Sequence, residues 1–356
     1  MLRIKILPAK QGDCLWIEYG DSKSPRFVVI DGGTSGSVEP LVAKVMELPP
    51  ERRRLELLVV THVDADHIAG ILKFLETPKL RLKVDDVWFN GYKHLQEALE
   101  TFGPVQGERL SADIIAGKVP WNKAFGGHAV KVPDDGPLPA KPLNGGLELV
   151  VVGPTTKKLQ LLEPVWVQAC IDAGITPGEP QPQPVPPGLE RFGPIDVDSL
   201  AATPFKEDPT QPNGSSIVLL LRYDGSVVLL GADGHPSVIQ AGLERLASEP
   251  GPIKLDAYKV AHHGSKNNLT ESLLQRIECC RYLFSSSGAI YHHPDLEAVA
   301  RVLKHSRRGG RPIELVFNYK TPFNSVWDSP ELKQRWEYTT VFPMAGKPGV
   351  VGFEKD

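Results

Sequence analysis

The stretch Thr61-His62-Val63-Asp64-Ala65-Asp66-His67 sets two imidazoles and two carboxylates into six consecutive positions. Residues 55–60 before it form a β-rich apolar run, and Ile68, Ile71, Leu72 and Leu75 follow at helical spacing. The polar stretch therefore occupies the loop of a strand–loop–helix unit. Imidazole nitrogen and carboxylate oxygen are the side-chain ligands that borderline and hard divalent cations take. A turn here lets His62 and Asp64 converge on one ion while Asp66 and His67 face a second. A capped helix start would use Asp64 or Asp66 alone and explains one such residue, not four.

Other ligand-type residues stand where apolar runs end. Asp31 precedes Gly32-Gly33, Asp233 closes a run holding Val227 to Leu230, and His262 and His263 close one holding Tyr258 and Val260. Seven of the ten histidines fall in four clusters: His62 and His67, His235, His262 and His263, His292 and His293. Charged and imidazole groups gathered at buried strand ends are costly without a partner, and a metal ion is an effective one.

The rest of the chain reads as short strands with fewer helices. Residues 2–7, 15–19 and 27–30 each end in turn chemistry, and 216–223 and 226–231 flank Asp224-Gly225, a two-residue hairpin signal. Runs at 257–261, 282–285, 313–319, 339–342 and 350–353 continue the pattern. Helices are expected at 269–277 and around Leu296, Val299, Ala300 and Leu303, with Pro294 in the first turn. Residues 89–132 are mixed and partly helical. Residues 177–212 are rich in proline and read as an extended surface insertion that covers the active site, binds a protein partner or does neither. An α+β sandwich is the layer solution for this order of elements. We expect one domain over residues 1–356 with the insertion inside it.

At 41% hydrophobic, 23% charged and net charge −3, the chain is not a disordered polymer and does not coat nucleic acid through bulk charge. No apolar run approaches the ~20 residues needed to span a bilayer, and no signal-peptide pattern opens the sequence. Cys14, Cys170, Cys279 and Cys280 form neither a Cys-x-x-Cys site nor a disulfide framework. These features lead us to expect a cytoplasmic protein with no membrane partner.

Residues 27–33, the loop His62–His67, Asp233 and His262-His263-Gly264-Ser265 together resemble the metallo-β-lactamase fold superfamily. More narrowly, they resemble the soluble hydrolase-like domain of ComEC-type DNA-uptake proteins. Gln11-Gly12-Asp13, the His-x-Asp-x-Asp-His form of the loop, Asn213-Gly214-Ser215-Ser216 and Gly231-Ala232-Asp233 add to the likeness. The resemblance implies a four-layer αββα sandwich with one or two metal ions at the strand edges; we expect two, and the two loop carboxylates with Asp233 make Mn2+ a rival to Zn2+. By position, His62 and Asp64 serve the first ion. Asp66, His67 and one of His262 or His263, with His263 preferred, serve the second, with Asp233 bridging and Asp31 orienting a ligand. The superfamily supplies a further first-site histidine that this chain lacks, since only His94 and His128 lie between the loop and Asp233. Asn213, Ser215 or a paired histidine then takes its place, or the first site is weak.

The implied activity is that of a metal-dependent hydrolase using a metal-activated hydroxide, a phosphodiesterase or nuclease acting on a phosphodiester such as nucleic acid. Asp66 is the candidate to orient the nucleophile, and whichever of His262 and His263 is not a ligand assists the leaving group. Ser265 and Lys266, at an expected helix start, and His293 are candidate substrate contacts. The basic runs 305–311 and 52–54 are either nucleic-acid contacts or solvated loops. Hydrolysis of a carboxylic ester, lactone or thioester is the alternative chemistry, and a non-catalytic binding or regulatory module is the alternative role.

Overall fold

Residues of the N-terminal strands alternate between two apolar cores. In the computed structural model, which describes residues 1–96, 105–172, 195–247 and 251–356, β1 (Leu2–Ile6), β2 (Leu15–Asp21) and β3 (Ser24–Ile30) form a meander. β4 (Leu57–Val59) and β5 (Val87–Trp88) extend it in parallel. Ile4, Ile17, Val28, Leu57 and Val59 face one core, while Trp16, Phe27, Val29, Leu58 and Val60 face the other. This is the period of two that a strand imposes on side chains.

The second sheet comprises β6 (Ala140–Pro142), β7 (Glu148–Gly153), β8 (Val218–Tyr223), β9 (Ser226–Leu230), β10 (Ala257–Lys259), β11 (Arg281–Phe284), β12 (Ile313–Phe317) and β13 (Tyr338–Val341). β14 (Val350–Lys355) returns to pair with β1, giving sheet orders β14-β1-β2-β3-β4-β5 and β13-β12-β11-β10-β9-β8-β7-β6. The larger core lies between the sheets and continues beneath helices α3 (Pro236–Leu246) and α4 (Leu296–His305). The smaller core lies between the outer face of the first sheet and helices α1 (Glu39–Met46) and α2 (Ala65–Leu75). The layers run helix, sheet, sheet, helix: the expected αββα sandwich.

Strands β3 and β4 run parallel, as do β9 and β10. The loops leaving their C-terminal ends carry Asp31, residues 61–67, Asp233 and the 262–263 pair. Each sheet thus delivers two loops bearing acids or histidines to a shared edge.

Several local expectations are corrected. Glu148–Gly153 is a buried strand that the mixed composition upstream obscured. The 269–277 helix is confined to Glu271–Gln275 and capped by Thr270. Asp295, not Pro294, holds the N-cap position of α4. Of residues 177–212, those up to 194 lie outside the described residues. Beyond them the chain is not extended throughout: Asp196 caps the helix Val197–Ala201, whose Val197 and Ala201 bury in the larger core. No helix among the described residues is long and apolar enough to cross a membrane.

Candidate metal centre

Asp64 stands at the N-cap position of α2, where its backbone oxygen accepts from His67 and Ile68 at 2.9 and 3.0 Å. Its carboxylate makes no capping bond. The helix start therefore does not consume this acid, and the simple capping reading of the loop fails at its best candidate.

Three imidazoles are oriented alike. His67 Nδ1 donates to Asp31 Oδ2 at 2.8 Å, and His263 Nδ1 donates to the Ser285 carbonyl at 2.9 Å. Thr61 Oγ1 gives its proton to Asp31 Oδ2 at 2.7 Å, so it accepts from His62 Nδ1 at 3.0 Å. Each outward nitrogen is fixed as the donor, which turns Nε2 inward, the orientation of a ligating imidazole. The backbone contributes strain to this arrangement, since Asp31, His262 and His263 take φ of 57°, 47° and 55°. Left-handed non-glycine residues persist only where surrounding contacts hold them.

The inward atoms gather on Asp233. Its Oδ2 lies 3.3 Å from Nε2 of His67 and of His263, 3.8 Å from His262 Nε2 and 3.9 Å from His62 Nε2. His263 Nε2 stands 3.7 Å from Asp66 Oδ2, and His62 Nε2 stands 3.6 Å from Asp64 Oδ2. His62, His67 and Asp233 form one grouping with metal-ligand spacing, and Asp66, His67 and His263 form another. His62 Nε2 and Asp233 Oδ1 are buried with no hydrogen-bond partner. Orphaned buried donors and acceptors of this kind fit residues that complete their valence on a cation.

The electrostatics say the same. Burial pushes the Asp233 carboxyl up, but the imidazoles of His263, His67 and His262 overcome this and hold it well below the ordinary carboxylate range. Burial pulls His67 down, and Asp233 and Asp31 overcome that in turn, raising it well above its usual value. His263 is likewise lifted against its burial by Asp233 and Asp13, to about 9. The protein thus concentrates negative charge where the Nε2 atoms meet.

A family model described as the metallo-beta-lactamase superfamily matches residues 8–279. The chain belongs to that superfamily. ComE operon protein 3 of Bacillus subtilis (strain 168) is 29% identical over 114 residues, 32% of this chain, which covers 14% of that protein's length. Among solved structures, the metallo-beta-lactamase fold protein YhfI from Bacillus subtilis is 12% identical, with 98% of each chain covered and a TM-score of 0.41. The CmlA beta-hydroxylase E377D mutant is 12% identical, covering 98% of this chain and 54% of that one, with a TM-score of 0.40.

Superfamily members are generally metal-dependent hydrolases, and the expected ligand positions His62, Asp64, Asp66, His67, Asp233 and His263 all meet at the shared sheet edge. Of the paired histidines, His263 is buried and turned inward, while a quarter of the His262 side chain is exposed. His293 stands outside the grouping, 5.6 Å from the His262 ring, with Nδ1 donating to Asp295 at 3.3 Å. Ser265 is buried and its Oγ accepts from the Asn267 backbone at 3.2 Å. Lys266 does not open a helix: its N–H donates to Asp295 and its ammonium pairs with Glu297 at 3.2 Å. The basic runs lie at the wrong edge. Residues 52–54 and 305–311 precede β4 and β12, whose strands run parallel to their neighbours, so both sit at N-terminal ends, opposite the site.

Residues beyond the anticipated set also matter. Lys259 is buried in β10 and bonds to Asp13, whose other oxygen lies 3.3 Å from His263 Nδ1. A lone lysine between Tyr258 and Val260 was the sequence signal for this pair. Asp208 Oδ2 lies 3.2 Å from His262 Nδ1, and no pattern in its proline-rich surroundings announced it.

Proposed function

We propose that this chain is a metal-dependent hydrolase of phosphodiesters, a phosphodiesterase or nuclease. The observation that carries the metal-dependent part is the convergence of fixed Nε2 atoms on Asp233, with His62 Nε2 and Asp233 Oδ1 left without hydrogen bonds. His62 and Asp64 would hold a first ion, Asp66, His67 and His263 a second, and Asp233 would stand between them. Three of these six ligands are carboxylates, which suits an oxygen-preferring ion such as Mn2+ as well as Zn2+. Divalent cations in such a centre supply Lewis acidity toward a phosphoryl or acyl oxygen and lower the pKa of a water they hold.

The chain's own residues do the rest. Asp66, partly exposed at the start of α2, faces the cleft and is placed to orient an attacking water. His263 is an inward ligand, and His262 stands beside it, partly exposed at the cleft mouth. The shell behind them excludes water, because His67, His263, Asp31 and Asp233 are all buried. Preorganised charge of this kind is worth most in such a dry setting.

Support for a phosphodiester in particular comes from the resemblance of the His-x-Asp-x-Asp-His loop and the His-His-Gly-Ser turn to the ComEC-type domain. One observation favours a neutral carboxylic ester instead. The nearby cations Lys259 and Lys266 are engaged by Asp13 and Glu297. Zn2+- or Mn2+-loaded protein should be assayed on bis-(p-nitrophenyl) phosphate, DNA, RNA and a panel of p-nitrophenyl esters, lactones and thioesters. Diester cleavage lost in Asp66→Ala supports the proposal. Cleavage of carboxylic esters alone gives the second reading, and no cleavage of any of them sinks both.

A further inference from the structure

The superfamily likeness leaves the first ion one histidine short, and the fold does not bring His94, His128 or His235 to fill the gap. His94 sits under Trp121, with Nε2 3.1 Å from the Gly127 carbonyl, while His128 lies in the same distant segment. His235 is used up by Lys158 on Nδ1 at 2.7 Å and by the Thr210 carbonyl on Nε2 at 3.0 Å. Asn213 turns its amide nitrogen toward Asp208 Oδ2 at 2.6 Å and leaves Oδ1 buried without a hydrogen-bond partner, so it is the rival to the paired histidine, while Ser215 gives its hydroxyl to the Pro212 carbonyl at 2.6 Å.

We propose that His262 is the missing ligand, held for that purpose by Asp208 and Asn268. Three independent observations converge on it. Its Nε2 stands 3.8 Å from Asp233 Oδ2, matching the 3.9 Å of His62, the accepted type of first-ion ligand. Its Nδ1 faces two acceptors, Asn268 Oδ1 at 2.9 Å and Asp208 Oδ2 at 3.2 Å, nearer than the Asn213 amide nitrogen at 3.3 Å, so Nδ1 is the donor and Nε2 is turned toward the centre. This repeats the pairing by which Asp31 sets His67, the outer carboxylate that commonly orients a ligating imidazole. Finally, His262 and His263 both occupy left-handed backbone, which aims two adjacent side chains at one centre where an extended strand would send them to opposite faces.

Asp208 is itself built in. It is buried, and its Oδ1 accepts from the backbone and hydroxyl of Thr210 at 2.9 and 2.7 Å. Asn268 is fully buried and donates to the Asp233 carbonyl at 3.2 Å, so the loop that carries the bridging acid and the turn that carries His262 are tied to the same amide. A histidine needed only for packing would require none of this.

The inference rests on the metal-dependent reading above, and the test separates the two. Metal-free protein is titrated with Mn2+ and with Zn2+ by calorimetry, and bound metal is counted by elemental analysis after dialysis. The variants are His262→Asn, which tolerates the left-handed backbone but cannot reach, and Asp208→Asn, which keeps the imidazole and removes its acceptor charge; melting curves establish that both fold. The expected result is two ions in the native protein, with one weakened at least about tenfold in Asp208→Asn and lost in His262→Asn while the other is unchanged. Retention of both ions at native affinity by His262→Asn would overturn the proposal, whatever happens to activity. A native protein that takes up no ion would instead sink the metal-dependent reading itself.

Discussion

Asp31 Oδ2 receives Nδ1–H of His67 at 2.8 Å while the same carboxylate takes both donors of Thr61, at 2.8 and 2.7 Å. One buried acid at the end of β3 therefore sets two inward imidazoles, His67 directly and His62 through the Thr61 hydroxyl. Asp31→Asn should leave the fold intact and weaken metal binding by about 10–100-fold. Competition against a chromophoric chelator measures this. An unchanged affinity would mean that Asp31 acts on Thr61 alone.

The approach that lets Asp31 reach His67 is made by glycines. Gly32 N–H donates to the His67 carbonyl at 3.0 Å and Gly70 N–H to the Gly33 carbonyl at 2.9 Å, locking α2 onto the loop after β3. A Cβ on Gly70 would collide with the Gly32 carbonyl, backbone against backbone, with no flexible side chain to give way. Gly70→Ala should cost roughly 3 kcal/mol, at the upper end for overpacking, and should loosen metal binding by shifting His67. Urea melts of the metal-free protein report the first effect and metal titration the second.

Lys259 and Asp13 are both almost wholly buried, one from β10 in the second sheet and the other from the loop after β1 in the first. Burial opposes the charge on Asp13, yet Lys259 and His263 hold its carboxyl well below the ordinary range. Removing one partner strands a charge, so Lys259→Met or Asp13→Asn alone should destabilise by about 3–5 kcal/mol. The double variant should recover a large part of that loss, because neither charge then remains unpaired. Denaturant unfolding of the four proteins closes the cycle, and simple additivity would show that the two groups do not compensate each other.

Much of this architecture was legible because strand periodicity and turn residues act locally. The hairpin at Asp224-Gly225 pairs Tyr223 with Ser226 as its turn chemistry requires, and the expected helix follows the strand, although it starts at Ala65 and takes Asp66 and His67 into its first turn. The candidate ligands could be picked out because acids and imidazoles at the ends of apolar runs have few other uses. What holds them could not. Ser285 and Asp208 reach the histidine pair from far along the chain and Asn268 from six residues away, and nothing in their own neighbourhoods marks them. The Pro-rich composition before Asp208 likewise concealed the capped helix at Val197, since capping by Asp196 is decided within four residues.

The cysteines give a prediction that depends on burial alone. Burial pushes the Cys279 thiol up to about 12, and the same cause raises the Cys14 thiol further, with Asp31 and Asp13 adding to it. Thiolate is the reactive form, so between pH 7 and 9 neither residue has a significant reactive fraction in the folded protein. Both should resist iodoacetamide under native conditions and become labelled only on unfolding. Cys280 neighbours Cys279 but is partly exposed, and it should react before Cys14 and Cys279. Peptide mapping after timed alkylation, with and without denaturant, resolves the three sites. Rapid native labelling of Cys279 would mean that the strand edge carrying β11 opens far more readily than its packing allows.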